Sequence, residues 1–362
     1  MDTQLKMIDF DFEKLRPIGL TQVVVNSLGA LQETTPPGSR LMRIVETQRD
    51  WFTLHDGDAE HRARAGQRLV NVLRMQDTTV TVGDWAVVTG EGAGDLWIAA
   101  LLPPVTQIAR RANDGRRQSL ASNVDTALLT MGLDDDFNPR RVERYIAMVR
   151  AGDVSPVVVL TKSDIARDAQ ERIALLRERL PASVPIVAIN GMSEQARTEL
   201  MPWLHEGQTL VLLGSSGAGK STLTNTLTGV FTQDTGGVRR GDGRGMHTTT
   251  ARSMHLCPDG ACIIDTPGLR TWRPDADGAA LAAAFDDIEA LAAQCQFRDC
   301  RHQGEPGCAV QAHVAPDRLM NFRKLMRDAE RSEQTPLERI AIRKKWKSLH
   351  KAGAVRARDK RR

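Results

Sequence analysis

The sequence predicts a multidomain fold: an N-terminal β-barrel, a parallel α/β domain and a helical C-terminal domain. The chain has 362 residues, more than one hydrophobic core usually serves. Closely spaced short strands come first, and apolar strands that alternate with amphipathic helices follow. The last part contains helices around a group of Cys and His residues. We expect an N-terminal extension at 1–38, the barrel at 39–105, the α/β domain at 106–276 and the C-terminal domain at 277–362.

The barrel segment contains short apolar runs such as "RLMRIVETQ" and "TVTVGDWAVVTG". An oligonucleotide-binding (OB) barrel is one fold of this kind, and it often carries nucleic acid on one face. An SH3-like barrel, or a barrel that serves only as a spacer, fits this segment nearly as well. We expect a further strand in "EHRARAGQRLV" at 60–70 and a linker, "RRANDGRRQS" at 110–119, before the α/β domain.

The formal charge of +4 is unevenly distributed. The last twenty residues hold ten Lys or Arg and one Asp, so they carry +9 and the rest of the chain −5. A solvated helix face is the usual explanation of such a run, but a basic chain end together with a candidate RNA-binding barrel favours contact with RNA. No apolar run approaches the ~20 residues that span a bilayer, and the N-terminus lacks the layout of a secretory signal. We therefore expect a cytoplasmic protein without membrane contact.

A phosphate-binding loop is the most specific signal in the α/β domain. Residues 214–221, "GSSGAGKS", fit G-x-x-x-x-G-K-[ST] between an apolar strand and a helix, where backbone N–H groups surround phosphates. Lys220 should reach the β- and γ-phosphates, and the Ser221 hydroxyl should ligate Mg²⁺. The expected nucleotide-binding residues here are Gly214, Ser215, Ser216, Gly217, Ala218, Gly219, Lys220, Ser221 and Thr222.

Two further elements of a nucleotide switch follow the phosphate loop. Asp265-Thr-Pro-Gly268 ends the strand "ACIID", so Asp265 should hold Mg²⁺ through water and the Gly268 N–H should sense the γ-phosphate. The preceding polar, Gly-rich stretch contains three threonines, 248–250, and a loop threonine that joins the Mg²⁺ shell is typical of such switches. We favour Thr249, and its neighbours stay open.

The stretch Thr161-Lys162-Ser163-Asp164 predicts guanine as the base. It follows the apolar run "SPVVVL", and a carboxylate at a strand end can accept hydrogen bonds from both N1–H and N2–H₂ of guanine, a donor pair that adenine lacks. Lys162 can lie across the base. Asn is commoner at the first position, so Thr161 should weaken contacts with the base and with the phosphate loop. Ile189 and Asn190, after the run "VPIVA", are candidates for a last base-contacting loop.

The order of these motifs is rotated. In most GTPases the phosphate loop comes first and the guanine motif last, but here Thr161–Asp164 precedes the phosphate loop by about fifty residues. A parallel sheet can be cut and rejoined in this way because its strand ends still meet in space. The sequence therefore predicts a circularly permuted α/β P-loop GTPase domain.

A metal site is predicted in the C-terminal domain. Its four candidate ligands follow the spacing C-x₄-C-x-H-x₅-C: Cys295, Cys300, His302 and Cys308. Three thiolates and one imidazole form a closed tetrahedral Zn²⁺ set without an open catalytic position. Such a site would fix a small helical domain that lacks a core of its own. Cys257 and Cys262 flank "PDGA" and are predicted to pack in a hairpin instead.

Taken together, these motifs resemble the circularly permuted GTPases of the RsgA family (also called YjeQ or YloQ), which depend on the small ribosomal subunit. The similarity extends from about residue 40 to the C-terminus. Besides the nucleotide and Cys/His motifs, "VGDW" at 82–85, "SNVDTALL" at 122–129 and "GRGMHTTT" at 243–250 carry it. The resemblance implies an OB barrel, a permuted GTPase core and a zinc domain. It also implies stimulation of GTP hydrolysis by the small subunit during late subunit maturation.

The hydrolytic machinery is incomplete by the usual standard. Many GTPases place Gln directly after D-x-x-G to orient the attacking water, but here the residue is Leu269. Intrinsic hydrolysis should be slow, so a partner or another residue must position the water. The matching family position points to His247, and an exposed loop histidine without a catalytic role is almost as well supported.

The expected function is thus GTP hydrolysis to GDP with GTP, Mg²⁺ and one structural Zn²⁺, in a monomer that binds the small ribosomal subunit and its rRNA. Two alternatives stay open. An RNA-binding assembly scaffold with a vestigial nucleotide site would fit Thr161 and Leu269. A P-loop ATPase or kinase would require Asp164 to have no role in base recognition.

Overall fold

The computed structural model describes residues 8–31, 35–48, 51–90, 96–111, 117–229, 252–266, 273–274 and 285–333. Within these ranges no helix combines the length and the apolar character needed to cross a membrane. The predicted basic C-terminal helix, the threonine loop and Gly268 lie outside them.

The predicted N-terminal extension packs against the rest of the protein. It contains two short helices, α1 (Phe12–Leu15) and α2 (Gln22–Ser27), which the side chains of Asp11 and Thr21 cap. Its apolar side chains join the same hydrophobic cluster as the α/β domain: Ile8, Leu15, Ile18, Leu20, Val24 and Leu28. The segment is therefore part of the folded core rather than an appendage.

Five strands form a closed barrel after this segment. They are β1 (Arg40–Thr47), β2 (Phe52–His55), β3 (Glu60–Ala65), β4 (Trp85–Thr89) and β5 (Leu96–Leu101). They pair in the order β1-β2-β3-β5-β4, and β4 pairs back onto β1. Only β3 and β5 are parallel among the barrel pairs that the structure describes. The closed five-stranded barrel agrees with the expected OB-type fold.

The strand predicted at 60–70 is present only in its first half, and a helix replaces the second half. β3 ends at Ala65, and α3 (Gln67–Met75) begins directly after it, with Gly66 as the N-cap. Leu69 is buried in the barrel cluster and Leu73 packs against that cluster, so the helix covers an open end of the barrel. Apolar residues at 69 and 73 have helical spacing, which the short strand-like run before them obscured.

The predicted linker at 110–119 is also wrong. Its residues 110–111 and 117–119 belong to two paired antiparallel strands, β6 (Gln107–Arg111) and β7 (Arg117–Ser122). The buried side chains of this hairpin include Ile108 and Leu120, both in the main cluster. Both ends of the predicted linker are therefore strand, and residues 112–116 lie outside the described residues.

The α/β domain is built on six strands in the order β10-β9-β8-β11-β13-β12. They are β8 (Thr126–Gly132), β9 (Ser155–Thr161), β10 (Ile186–Ala188), β11 (Thr209–Gly214), β12 (Arg252–Leu256) and β13 (Cys262–Asp265). All neighbours are parallel except β12 and β13. The helices are α4 (Pro139–Ala151), α5 (Ala169–Arg179), α6 (Gln195–Leu200) and α7 (Lys220–Thr228).

Both faces of this sheet are covered. Leu129 and Leu213 belong to one hydrophobic cluster, whereas Leu128 and Leu212 belong to the other. Side chains alternate between faces along a strand, so every residue of β8 and β11 is buried. This confirms the sequence prediction of a parallel sheet between helices, and it places the C-terminal strand ends along one edge.

Strand pairing ties the barrel to the α/β domain. β1 pairs with β12, which joins the two sheets into one of eleven strands. The hairpin that follows the barrel forms a separate sheet, in which a short strand, β14 (Arg273–Pro274), pairs with β6. The barrel and the α/β domain are therefore linked through backbone hydrogen bonds as well as through the chain.

Arg43 of β1 is a buried polar link between three parts of the molecule. Its guanidinium donates to the carbonyl of Ile18, to Thr209 Oγ1 at 2.9 Å and to the carbonyl of Asn123 at 2.8 Å. It also lies 5.4 Å from the centre of the Trp85 ring. Its Nε donates to the carbonyl oxygen of Gly83 in the barrel. The acceptors therefore lie in the N-terminal segment, the α/β domain and the barrel, so one side chain satisfies polar groups in all three.

The C-terminal part contains α8 (Asp286–Ala292), α9 (Ala309–His313) and α10 (Pro316–Glu333). It packs against α4 around the buried side chain of Ala147. Beside this contact, the buried Glu143 of α4 accepts a hydrogen bond from Asn321 at 2.6 Å and pairs with Arg179 at 2.8 Å. Apolar packing and an ion network together attach α10 to the α/β domain.

Arg43→Ala is expected to lower the free energy of unfolding by about 3 kcal/mol or more, because two buried acceptors and one half-buried acceptor lose their donor. Denaturant unfolding would measure the change. The control is Arg62→Ala, which removes an exposed arginine from β3 of the same barrel and should change stability by less than about 0.5 kcal/mol. Equal effects of the two substitutions would contradict the role of Arg43 as a link.

Candidate functional site

The phosphate loop (Gly214–Ser221) connects the end of β11 to α7, as its motif predicts. A Cβ atom at Gly214 would lie 2.3 Å from the carbonyl oxygen of Thr130 on β8, so only glycine fits there. Gly217 and Gly219 have φ angles of +83° and +88°, which side chains rarely adopt. These glycines let the backbone turn at the N-terminus of α7, where anions are favoured.

Lys220 is buried at the start of α7. Its Nζ donates to the carbonyl oxygens of Gly214 at 3.1 Å and Ser215 at 2.8 Å. Burial lowers the pKa of Lys220 to about 8, although the nearby carboxylates of Asp265 and Asp136 oppose the shift. The lysine is therefore held inside the loop, where it still carries its charge at neutral pH.

Asp265 ends β13 next to the phosphate loop. It is fully buried, and its register partner on β11 is Leu212. Because β13 is paired in parallel with β11, which leads into the phosphate loop, Asp265 and Lys220 belong to one site, and the carboxylate raises the pKa of Lys220 against the effect of burial. Ser221 and Thr222 lie half-buried in the first turn of α7. The other predicted switch and catalytic residues, His247, Thr249 and Gly268, fall outside the described residues.

The end of β9 meets the phosphate loop although 57 residues separate them in sequence. Thr161 Oγ1 donates to the carbonyl oxygen of Ala218 at 2.8 Å. Lys162, with a left-handed φ of +61°, donates to the carbonyl oxygen of Gly217 at 2.8 Å. Thr161 therefore contacts the phosphate loop through its hydroxyl group. The expected weakening relative to an asparagine at this position stays a prediction.

The remaining base-site candidates contribute unequally. Ser163 N donates to the carbonyl oxygen of Ile189 at 3.3 Å, so the T-K-x-D turn and the last loop are in contact. Asp164, the last residue of this turn, is exposed. The Ile189 side chain is buried in the core, so only its backbone can face a ligand. Asn190 Oδ1 accepts a hydrogen bond from Met192 N and thereby shapes the loop.

A third loop, residues 132–137 (hereafter the acidic loop), joins this site and was missed by sequence reasoning. It follows β8 and contains three consecutive aspartates. Asp134 Oδ2 lies 2.5 Å from Lys162 Nζ, and Asp136 accepts a hydrogen bond from the Ser215 hydroxyl. No motif marks these residues. The only available signal was their position, because the loop follows a strand beside both the phosphate-loop strand and the T-K-x-D strand.

The four predicted zinc ligands form a compact cluster. Their ligand atoms all lie within 4.8 Å of one another. Cys295 Sγ and Cys308 Sγ are 3.9 Å apart, and His302 Nδ1 is 3.3 Å from Cys308 Sγ. Sulfur atoms around a tetrahedral Zn²⁺ with Zn–S bonds of about 2.3 Å are about 3.8 Å apart. The spacing and the Cys₃His donor set therefore fit a closed zinc site.

The other two cysteines are structural, as predicted. Cys257 and Cys262 are both buried in the β12–β13 hairpin. Cys257 N donates to the carbonyl oxygen of Ala261 at 2.8 Å, which closes the turn.

A phosphate loop that meets a T-K-x-D turn from an earlier part of the chain defines the class: this is a circularly permuted P-loop GTPase fold. The family model described as RsgA GTPase matches residues 102–274. The small ribosomal subunit biogenesis GTPase RsgA of Xanthomonas oryzae pv. oryzae (strain MAFF 311018) is 41% identical over 320 residues, 86% of this chain and 87% of the relative. The chain belongs to the RsgA GTPase family, which makes it a GTP hydrolase.

Further comparisons agree with this assignment. The protein of the same name from Xanthomonas euvesicatoria pv. vesicatoria (strain 85-10) is 44% identical over 320 residues, with 86% and 87% of the two chains covered. The crystal structure of YjeQ from Thermotoga maritima matches with a TM-score of 0.58 and 22% identity, covering 80% of this chain and 98% of that one. The crystal structure of YloQ, described as a circularly permuted GTPase, matches with a TM-score of 0.56 and 19% identity over 82% and 97%. The two structures share the fold.

Zinc content tests the Cys/His cluster. Cys308→Ser should lower the zinc bound per purified chain to a small fraction of the wild-type value, because a three-ligand site is open to water and binds less tightly. Elemental analysis by mass spectrometry measures it. Cys257→Ala is the matched control, since it removes a buried cysteine outside the cluster and should leave the zinc content unchanged. Full zinc occupancy in Cys308→Ser would refute the assignment.

The lowered pKa of Lys220 predicts a pH dependence of nucleotide binding. Phosphate favours the charged lysine, so affinity should fall as pH rises through the free-state pKa of about 8. Between pH 7 and 8.5 the Kd for GDP should rise about fourfold, the loss of protonated lysine over that interval. Titration with fluorescent GDP measures it. In Lys220→Arg the guanidinium stays charged, so the slope should vanish, whatever the absolute affinity. An equal slope in both proteins would contradict the assignment to Lys220.

Proposed function

We propose that this protein binds the small ribosomal subunit and hydrolyses GTP to GDP during late maturation of that subunit, which stimulates the reaction. The part of the proposal that concerns GTP rests on one observation. The side chains of Thr161 and Lys162 each donate a hydrogen bond of 2.8 Å to a carbonyl oxygen of the phosphate loop. The relatives from Xanthomonas carry small ribosomal subunit biogenesis in their names, and this supports the choice of partner.

In this proposal the nucleotide lies along the edge where the strands of the α/β sheet end. Lys220 and the backbone N–H groups of the phosphate loop bind the phosphates, and Asp164 reads N1–H and N2–H₂ of guanine. Ser221 and Thr249 would hold Mg²⁺ directly, with Asp265 acting through a water molecule. Bound Mg²⁺ supplies charge neutralisation at the β- and γ-phosphate oxygens.

Recognition of the subunit is assigned to the two ends of the chain. The barrel has the fold that often binds oligonucleotides, and the last twenty residues carry a charge of +9. The Cys₃His cluster would hold one structural Zn²⁺ that fixes the C-terminal domain. Phosphate contacts of this kind should weaken steeply with salt. The protein acts as a cytoplasmic monomer in this proposal.

Slow intrinsic hydrolysis is part of the proposal. Leu269 follows D-x-x-G and cannot orient water, so this task falls to His247 or to the subunit. A group supplied in this way is worth ~10³–10⁵ in rate in related phosphoryl-transfer enzymes. Dependence on the partner would couple hydrolysis to the state of the subunit.

GTP turnover measured against increasing concentrations of purified small subunits tests the proposal. We expect small subunits to raise the turnover number at least about tenfold. A catalytic group supplied by a partner can raise it by ~10³–10⁵ in related enzymes, so this expectation is modest. Lys220→Ala should abolish turnover with and without subunits. His247→Ala should keep GDP affinity; loss of the stimulated rate would assign the water to His247, and a retained stimulated rate would assign it to the subunit. Large subunits at the same concentrations are the control for non-specific RNA effects.

Different outcomes would favour the alternatives. No stimulation, together with no loss on Lys220→Ala, would favour an RNA-binding scaffold with a vestigial nucleotide site. Competition by ATP as effective as that by GDP would favour an ATPase or kinase. The close contact of Thr161 with Ala218 gives the vestigial reading less support than the sequence alone did.

A further inference from the structure

The acidic loop holds the lysine of the guanine motif by a carboxylate. Lys162 Nζ donates to Asp134 Oδ2 at 2.5 Å, and both side chains are about one-third exposed. The same ammonium donates to Gly217 of the phosphate loop. Burial alone would raise the pKa of Asp134, but the Lys162 hydrogen bond and the Asp136 N–H lower it below its ordinary value. Asp134 is therefore charged wherever the protein is folded near neutral pH.

The position of Asp134 is itself well determined. Its Oδ1 accepts a hydrogen bond from Asp136 N at 3.1 Å, so the second carboxylate oxygen is turned toward Lys162. Its carbonyl oxygen accepts a hydrogen bond from Arg172 Nη1 at 2.7 Å. Arg172 in turn pairs with Asp168 at 2.8 Å and lies 5.0 Å from the centre of the Phe137 ring. The carboxylate is thus presented from a loop anchored on α5.

Lys162 needs such a fixed partner. A lysine side chain carries about 2 kcal/mol of rotamer entropy, so an unrestrained one would seldom lie along the phosphate loop. The left-handed backbone at Lys162 sets the start of the side chain, and the Gly217 carbonyl offers one neutral acceptor near its end. A charged acceptor makes the stronger hydrogen bond and defines the direction of the ammonium.

We propose that Asp134 is a positioning residue for guanine nucleotide, which fixes Lys162 between the base site and the phosphate loop. This inference rests on the proposed nucleotide site. It assigns a role to the acidic loop, an element without a sequence motif. Asp134 acts on the nucleotide only through Lys162 and takes no part in the chemical step.

The sign of the effect separates positioning from simple electrostatics. Guanine nucleotides are anionic, so removal of a negative charge near the site should strengthen binding if only long-range repulsion mattered. Asp134→Asn should instead weaken binding, with Kd for GDP and KM for GTP rising about twofold to fivefold, the upper part of the range for a partly exposed charged pair. The turnover number at saturating GTP should stay within about twofold of wild type, because the effect is on binding alone.

The control is Asp135→Asn, which removes the same charge from the neighbouring exposed position of the same loop. It should leave the Kd unchanged or slightly lower it. Asp134→Glu should recover part of the affinity, since it restores a carboxylate. In a Lys162→Met background, Asp134→Asn should have no further effect, because the partner is gone.

Fluorescent GDP binding and steady-state kinetics measure these quantities, with thermal melting of the nucleotide-free proteins as a check on folding. Three results would each overturn the inference and leave the proposed function standing. The first is wild-type GDP affinity in Asp134→Asn, and the second is an equal loss of affinity in Asp135→Asn. The third is an undiminished effect of Asp134→Asn in the Lys162→Met background. Failure of the wild-type protein to bind GDP would overturn the proposed function together with the inference. The inference would be supported if GDP binding is weakened by Asp134→Asn but not by Asp135→Asn, and if the weakening requires Lys162.

Discussion

The parallel pairing of β8 with β9 on one side and β11 on the other is the constraint on which the nucleotide site depends. β9 ends in the T-K-x-D turn, β11 ends in the phosphate loop, and β8 keeps their ends level. Leu128 of β8 pairs with Val157 of β9 and Leu212 of β11, so one buried residue sets both registers. A slip by one residue would turn buried side chains to the opposite face. Chain order is irrelevant to this pairing, which is why permutation leaves the site intact.

Hydrogen bonds between the T-K-x-D turn and the phosphate loop then fix the relative positions of these two loops, which the sheet has brought together. The Thr161 hydroxyl and the Lys162 ammonium both bind carbonyl oxygens of the phosphate loop, at Ala218 and Gly217. Both contacts use carbonyl oxygens, whereas phosphate would be bound by N–H groups, so the contacts hold the loop without using the groups that a phosphate needs. A threonine at the first motif position is long enough to contact the phosphate loop because the loop lies close to the end of β9. The closeness is visible at Gly219, where an added Cβ atom would lie 3.3 Å from Thr161 Oγ1.

Motif-bearing parts of the site could be predicted because their chemistry is local. The phosphate loop combines a strand, glycines and a helix start in one stretch, and the Cys/His cluster lies within fourteen residues. Asp134 could not be found in this way, since its role arises from a contact with Lys162 across 28 positions. The docking of the N-terminal segment was missed for the same reason. Its partner Arg43 resembles any strand arginine until tertiary structure surrounds it with acceptors from the N-terminal segment, the barrel and the α/β domain.

Helix α4 connects the nucleotide site to the C-terminal domain. It begins just after the acidic loop, where Arg141 pairs with Asp136 at 2.5 Å. Half a turn later Glu143, almost fully buried, pairs with Arg179 and binds Asn321 of α10. A buried carboxylate with two such partners is costly to expose, because separation would leave its charge unpaired in the interior. Movement of α4 relative to the sheet would therefore carry α10 with it rather than break the network. The acidic loop and the Cys/His cluster are thus joined through a helix and not only through the chain that follows Asp265.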